Sequence, residues 1–209
     1  MLSTPYTLFP TPSPSFPRPE GSFSARAFGN ATHAFLELLA KRIAAGTTVA
    51  QLIAELPIWQ SRIAAVLRAS GLSPTDTTRF SAAILNGLTK TLHDPEGQWI
   101  LAAHTKAATE SALTTDEATL RLDRTFLAGP TPLSAGSTHL WIVDYKTASH
   151  GAGNLPEFMV SEKKKYAPQL EAYARTLGPQ NPNPIRLALY YPMIPHLLCW
   201  EPENAPSEP

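Results

Sequence analysis

The sequence predicts an α+β or α/β domain with a helical front end, and three observations carry that reading. From Ser24 to about Asp94, apolar residues recur at helical spacing. After Pro95-Glu96-Gly97 the texture changes to short β-leaning runs separated by turn-rich loops. One further helical stretch divides the last two of those runs from the others. The order is therefore helices, three or four strands, one helix and two strands. No internal repeat is found.

Ala27, Phe28, Ala31, Phe35, Leu38 and Leu39 mark the first helix, and Gly46 gives its stop. Val49 to Leu56 reads as a short helix ended by Pro57, because proline lacks a backbone donor and clashes with the preceding turn. Trp59 to Ser70 carries Ile63, Val66 and Leu67 on one stripe and stops at Gly71. Thr75 to His93 places Phe80, Ala83, Ile84 and Leu88 likewise, which makes four helices in succession. Gln98 to His104, Thr119 to Ala128 and Thr138 to Thr147 read as strands, with Lys106 to Leu113 as another short one. The clearest loop is Gly129 to Gly136. A helix at about Tyr166 to Leu177 follows, with Pro168 in its first turn and Gly178 as its stop. Ile185 to Tyr191 and His196 to Trp200 close the fold around the turn Pro192 to Pro195.

Proline accounts for 21 of the 209 residues and crowds the two ends. Pro5, Pro10, Pro12, Pro14, Pro17 and Pro19 make residues 1–23 a tail or linker, and 202–209 read as a flexible tail. The stretch 24–201 is then one domain, with a helical part over 24–94 and an αβ core over 95–201. Hydrophobic residues make up 43% of the chain and charged residues 16%, enough for a core and too little charge for general disorder. Seventeen basic residues balance seventeen acidic ones, which argues against binding dominated by non-specific attraction to nucleic acid or lipid. Cys199 stands alone, excluding an internal disulfide framework and any four-cysteine zinc or iron–sulfur site. Apolar runs such as Leu187 to Tyr191 are too short to span a bilayer, and Met1 to Phe16 lacks the apolar stretch of a secretory signal. A soluble cytoplasmic protein with no membrane partner is expected.

The richest stretch chemically is Trp141-Ile142-Val143-Asp144-Tyr145-Lys146-Thr147. Alternate strand residues share a face, so Asp144 and Lys146 project together. A carboxylate beside a cation at the end of an apolar strand suits phosphodiester chemistry, where a hard metal polarises the phosphate and a lysine meets developing charge. An isolated Asp-x-Lys is more commonly a solvated strand face. Asp123, on the preceding strand, would bring a second carboxylate within reach of the same metal; the alternative is a surface ion pair with Arg121 or Arg124. Gln169 and Tyr173 lie four apart on one helix face, either as hydrogen-bonded partners or as a helix rim. His33 sits early in the first long helix, where a lone histidine is usually a partly exposed or capped side chain. Gly29, four residues before it, implies a close backbone approach or a later helix start.

Taken in order, Gly29-x-x-x-His33, Asp123, Asp144-Tyr145-Lys146-Thr147 and Gln169-Leu170-x-x-Tyr173 resemble the RecB-like branch of the PD-(D/E)XK nucleases. That branch includes the C-terminal nuclease domains of AddAB and RecBCD helicase–nucleases. The resemblance runs from about Phe28 to Trp200 and implies a restriction-endonuclease-like core: a mixed sheet flanked by helices, with an N-terminal helical segment. It implies a metal-dependent deoxyribonuclease of DNA repair or recombination, with exonuclease action favoured. Carried over, Asp123 and Asp144 would bind Mg²⁺ or Mn²⁺, with His33 and the Tyr145 carbonyl completing the shell. Lys146 would position the attacking water and stabilise charge, while Gln169 and Tyr173 would orient Lys146 or contact the DNA backbone. Glu110 is the candidate first-strand acid, with Glu117 or Glu96 as alternatives.

Two departures stand out. Leu120 occupies a position where the family usually has glycine, and the four cluster cysteines of some relatives are missing. No Gly-x-x-x-x-Gly-Lys-Ser/Thr phosphate loop is present, so no nucleotide is expected. The chain is either a stand-alone nuclease or a domain working with a UvrD-like helicase motor or an AddAB/RecBCD-type subunit. For DNA contact the local candidates are Lys163, Lys164, Lys165 and Arg121, with a solvated lysine run as the alternative for the first three. Two competing functions are a nuclease-fold module that binds DNA or a partner without cutting, and a site-specific restriction-type endonuclease.

Overall fold

The computed structural model describes residues 22–114, 119–148 and 154–203, with the side chains of 110–120 outside that description. The order is α1 (Phe23–Ala44), α2 (Val49–Ala69), α3 (Pro74–His93), α4 (Pro95–Leu101), β1 (Thr105–Thr114), β2 (Thr119–Ala128), β3 (His139–Tyr145), α5 (Leu155–Leu177), β4 (Ile185–Tyr191) and β5 (His196–Trp200). The chain is α+β, with one five-stranded mixed sheet in the order β1-β2-β3-β4-β5. All neighbours are antiparallel except β3 and β4, which run parallel and are joined through α5.

Local chemistry sets the helix ends. Ser22 accepts the Ala25 N–H, Ser73 accepts the Asp76 N–H, and Thr48 with Gln51 forms a reciprocal capping box. At the other ends, Gly46 and Gly71 take φ of +92° and +87°. Each lets the next residue donate back into the last turn, Thr47 N–H to the Arg42 carbonyl at 3.0 Å and Leu72 N–H to the Leu67 carbonyl at 3.2 Å.

Two differences from the sequence reading have one physical reason. Pro57 does not end a helix: α2 runs through it, with Leu52, Leu56, Trp59, Ile63 and Leu67 forming one unbroken buried stripe. Pro168 is likewise internal to α5, whose stripe of Met159, Glu162, Tyr166, Leu170 and Tyr173 begins about two turns before the expected start. Both prolines are exposed, so their helical defects face water while the buried stripes stay continuous. A third difference is at Gln98 to His104, where a strand was expected. Residues 95–101 form α4 instead, with the Asp94 carboxylate accepting the Gly97 N–H at 2.9 Å and Pro95 in the first turn. The Asp-Pro-Glu start was the signal for a helix there.

The sheet separates two cores. On one face Phe126, Ala128, Trp141, Val143, Tyr145, Ala188 and Tyr190 pack against α1–α4. On the other, Ile142, Leu187, Leu189, Tyr191 and Trp200 pack against α5. Arg124 is buried and donates to the carbonyls of Ile100 at 3.1 Å and Ala102 at 2.7 Å, so it anchors the end of α4 on β2. The expected surface pairing of Asp123 with Arg124 is thereby excluded: that guanidinium is committed elsewhere. No helix is long and apolar enough to cross a membrane among the described residues.

Candidate active site

The β2–β3 ladder ends at the pair Arg124 and Val143. One step further, Asp123 and Asp144 emerge side by side where the two strands part. The Tyr145 N–H has no strand partner on that side, and Asp123 Oδ2 accepts it at 2.8 Å. Towards β4 the parallel pairing continues, and the Lys146 N–H donates to the Tyr190 carbonyl at 2.9 Å. A trans peptide points its carbonyl opposite to its N–H, so the Tyr145 carbonyl is directed back to the side where Asp123 lies.

Helix α1 delivers His33 to this strand end. Gly29 faces Thr147 there, but a Cβ would meet Thr147 Oγ1 only at 3.8 Å, an ordinary contact, so the approach does not require glycine. Neither sequence expectation for Gly29 is met: an alanine would fit there without crowding, and α1 starts well before it. His33 Nδ1 lies 3.3 Å from Asp123 Oδ1, and its ring meets Tyr145 edge-on at 5.9 Å. Lys146 Nζ lies 2.6 Å from Asp144 Oδ2, as strand alternation predicts. That contact is ionic in distance but outside the angular range of a hydrogen bond, so the buried Oδ2 has no aligned donor.

The electrostatics follow from burial and mutual charge. Burial raises the Asp144 carboxyl and the Asp123 charge raises it further, to about 6 despite Lys146 and His33. For Asp123 burial also acts upward, but the His33 charge and hydrogen bond, the Tyr145 N–H and Lys146 outweigh it and hold the group low. Burial alone would lower His33 and Lys146, yet Asp123 raises the first and Asp144 the second. Two carboxylates and two basic groups thus interlock, and Asp144 is the acid that resists ionisation.

Among the other expected site residues, Gln169 Nε2 donates to the Tyr173 hydroxyl at 2.5 Å, and that hydroxyl reaches the Arg121 carbonyl at 3.4 Å. This pair ties α5 to β2. Tyr173 lies close enough for Asp144, Asp123 and Lys146 to act on its hydroxyl, while the ring that meets Lys146 directly is that of Tyr166, 3.9 Å from Nζ. Tyr166 was missed because it stands on the stripe with Leu170 and Tyr173, where an aromatic reads as core. Glu110 lies on β1, and the flanking pairs Thr109–Arg124 and Ser111–Leu122 put its backbone across from Asp123. Its side chain, those of Glu117 and Leu120, and all of residues 1–21 and 204–209 lie outside the described residues. The alternative Glu96 is in α4, beside Asp94 and His196. Lys163 and Lys165 lie over different rings. Lys165 lies over Tyr166 at 4.7 Å, whereas Lys163 lies over Trp200 on β5 at 5.3 Å. Arg121 projects an exposed side chain from β2.

Among the described residues no three His, Cys, Asp or Glu side chains close around one point. Each carboxylate is instead engaged by a basic side chain, Asp123 by His33 and Asp144 by Lys146. The chemistry of the donor set nonetheless fits a hard divalent cation: two carboxylates, an imidazole, a backbone carbonyl turned to the same side, and one buried carboxylate oxygen without an aligned donor. No protein-family model and no curated protein matches this sequence, so function is read from these side chains themselves.

Proposed function

We propose that this chain is a metal-dependent DNA nuclease of the RecB-like PD-(D/E)XK type. The observation that carries the reading is the strand end at Asp123 and Asp144, where two acids from neighbouring strands meet with Lys146 against the second. Burying like charges side by side is costly in a stable fold, and the cost is recovered if a divalent cation completes the site. Its electrostatics point the same way, since Asp144 is held near 6 by burial and by Asp123.

Asp123, Asp144, His33 and the Tyr145 carbonyl are the groups that would hold Mg²⁺ or Mn²⁺. Such an ion supplies Lewis acidity towards the phosphodiester and makes bound water a better nucleophile. Lys146 keeps its ammonium charged beside Asp144 and offers it to the phosphoryl oxygens as charge builds there. The Gln169–Tyr173–Arg121 tether fixes α5 against β2 and so fixes the wall from which Tyr166 meets Lys146. Glu110 remains the first-strand candidate through its backbone position across from Asp123.

A net charge of zero leaves little non-specific grip on DNA. That supports a domain to which DNA is delivered at high effective concentration, by an attached or associated helicase motor of the AddAB or RecBCD kind, with exonuclease action in repair or recombination. Calorimetric titration of Mn²⁺ into the wild type, Asp123→Asn and Asp144→Asn, followed by DNA cleavage in the same samples, tests the reading. Metal binding and cutting lost together in both variants are expected. Metal-independent DNA binding without cutting would replace the nuclease by a non-catalytic module.

A further inference from the structure

Tyr166 is buried on α5, yet its ring serves two lysines at once. Lys146 Nζ lies 3.9 Å from the ring centroid and Lys165 Nζ 4.7 Å from it. The two ammonium groups have different surroundings: Lys146 is held against Asp144, whereas Lys165 is exposed. The ion pair to Asp144, 2.6 Å long, is one constraint on the Lys146 ammonium. Lysine has four rotatable side-chain bonds, and a compact ammonium needs a second constraint to stay in one place. The electron-rich face of an aromatic ring is such a constraint.

We propose that Tyr166 is a positioning residue of the nuclease site, holding Lys146 beside Asp144 for the reacting phosphate and Lys165 as a contact for a neighbouring backbone phosphate of the same strand. The proposal rests on the nuclease reading and deepens it. It divides the lysine run by role: Lys165 belongs to the site through Tyr166, and Lys163 is placed over Trp200 on the far side of β4. It also separates two kinetic effects, because one lysine faces the reacting atoms and the other faces flanking DNA.

The test compares Tyr166→Phe, Tyr166→Leu, Lys165→Ala and Lys163→Ala in steady-state cleavage of a labelled oligonucleotide with Mn²⁺, each variant first checked for a wild-type thermal transition. Tyr166→Leu is expected to lower kcat about tenfold, and Tyr166→Phe, which keeps the ring face, to restore it to within about twofold. Lys165→Ala is expected to raise KM by about threefold or more with kcat unchanged, as for loss of one phosphate contact, and Lys163→Ala to match the wild type. A substrate-free readout accompanies these: the Lys146 ε-methylene protons, shifted by the ring current in the wild type and Tyr166→Phe, return to ordinary positions in Tyr166→Leu. Wild-type kcat in Tyr166→Leu, or equal impairment of the Phe and Leu variants, overturns the proposal. So does an unshifted Lys146 signal in the wild type. If the wild type cuts nothing, the nuclease reading falls, and the ring-current comparison still decides whether Tyr166 holds Lys146.

Discussion

Replacing Asp144 by asparagine is expected to stabilise the metal-free protein. The carboxyl is pushed from an ordinary 3.8 to about 6 by burial and by Asp123. A folded-state pKa raised above the unfolded one gives a stability contribution that is complete below the unfolded value and lost as pH rises through the folded one. At pH 7.5 the ionised carboxylate therefore costs the fold about 3 kcal/mol relative to its neutral form, from a shift of roughly two units at about 1.4 kcal/mol each. The attraction of Lys146 is already contained in that balance, because it acts on the same ionisation. Asparagine keeps the shape and removes the charge. Thermal unfolding by circular dichroism in EDTA should show Asp144→Asn melting about 5–10 °C above the wild type at pH 7.5. The difference should shrink towards pH 5. Added Mn²⁺ should reverse the order, since only the wild type retains the second carboxylate for the ion. Equal destabilisation by Asp144→Asn at both pH values would refute the reasoning, because it would make the Lys146 ion pair a net structural asset.

Other perturbations carry their own signs. A Cβ at Gly97 would come within 2.5 Å of the Thr91 carbonyl oxygen and of the Tyr190 hydroxyl, so Gly97→Ala should lose about 3 kcal/mol in urea unfolding. Gly29→Ala, with only Thr147 Oγ1 at 3.8 Å, should instead gain about 1 kcal/mol from helix propensity in the same experiment. Pro57→Ala restores a donor to α2 at an exposed position and should raise stability by about 1–2 kcal/mol, less than the full helix penalty because proline also restricts the unfolded chain. His104 stacks on Phe126 at 4.3 Å and is held below its usual pKa by burial and the Arg124 charge, against the Trp99 carbonyl that its Nε2 meets. Its contribution is therefore present above about pH 6.5 and lost as pH falls through the lower folded value. In His104→Gln the acid limb of the stability profile should flatten between pH 6.5 and 5; an unchanged limb would assign it to other groups.

The legible parts of the molecule are those where the information is local. Strand alternation alone brings Asp144 and Lys146 together, and the structure has them 2.6 Å apart. The β2 bounds and the last two strands follow from β-branched and aromatic runs between turns, and they match. Gly46 and Gly71 stop helices as their backbone freedom requires. What stayed hidden depends on packing across the chain. His33 and Asp123 are ninety residues apart in sequence, and no periodicity states that α1 crosses the end of β2; only the family resemblance linked them. Pro57 and Pro168 mislead for a related reason, since the stripe that carries each helix through its proline becomes visible only when burial is known. Helix α4 was recoverable, because Asp94-Pro95-Glu96 is a helix start, but a short apolar run fits a strand equally well. Tyr166, read from the sequence only as the start of a helix, is buried on α5, and its further role lies in what its ring meets.

The strand end bearing Asp123, Asp144 and Lys146 is proposed to hydrolyse DNA. Cleavage of end-labelled single- and double-stranded linear DNA, with Mg²⁺, Mn²⁺ or EDTA, tests it directly when wild type and Lys146→Ala are run side by side. Cutting that needs the metal and is abolished in Lys146→Ala is the predicted result. Cutting that survives in EDTA, or that Lys146→Ala retains at the wild-type rate, would contradict it.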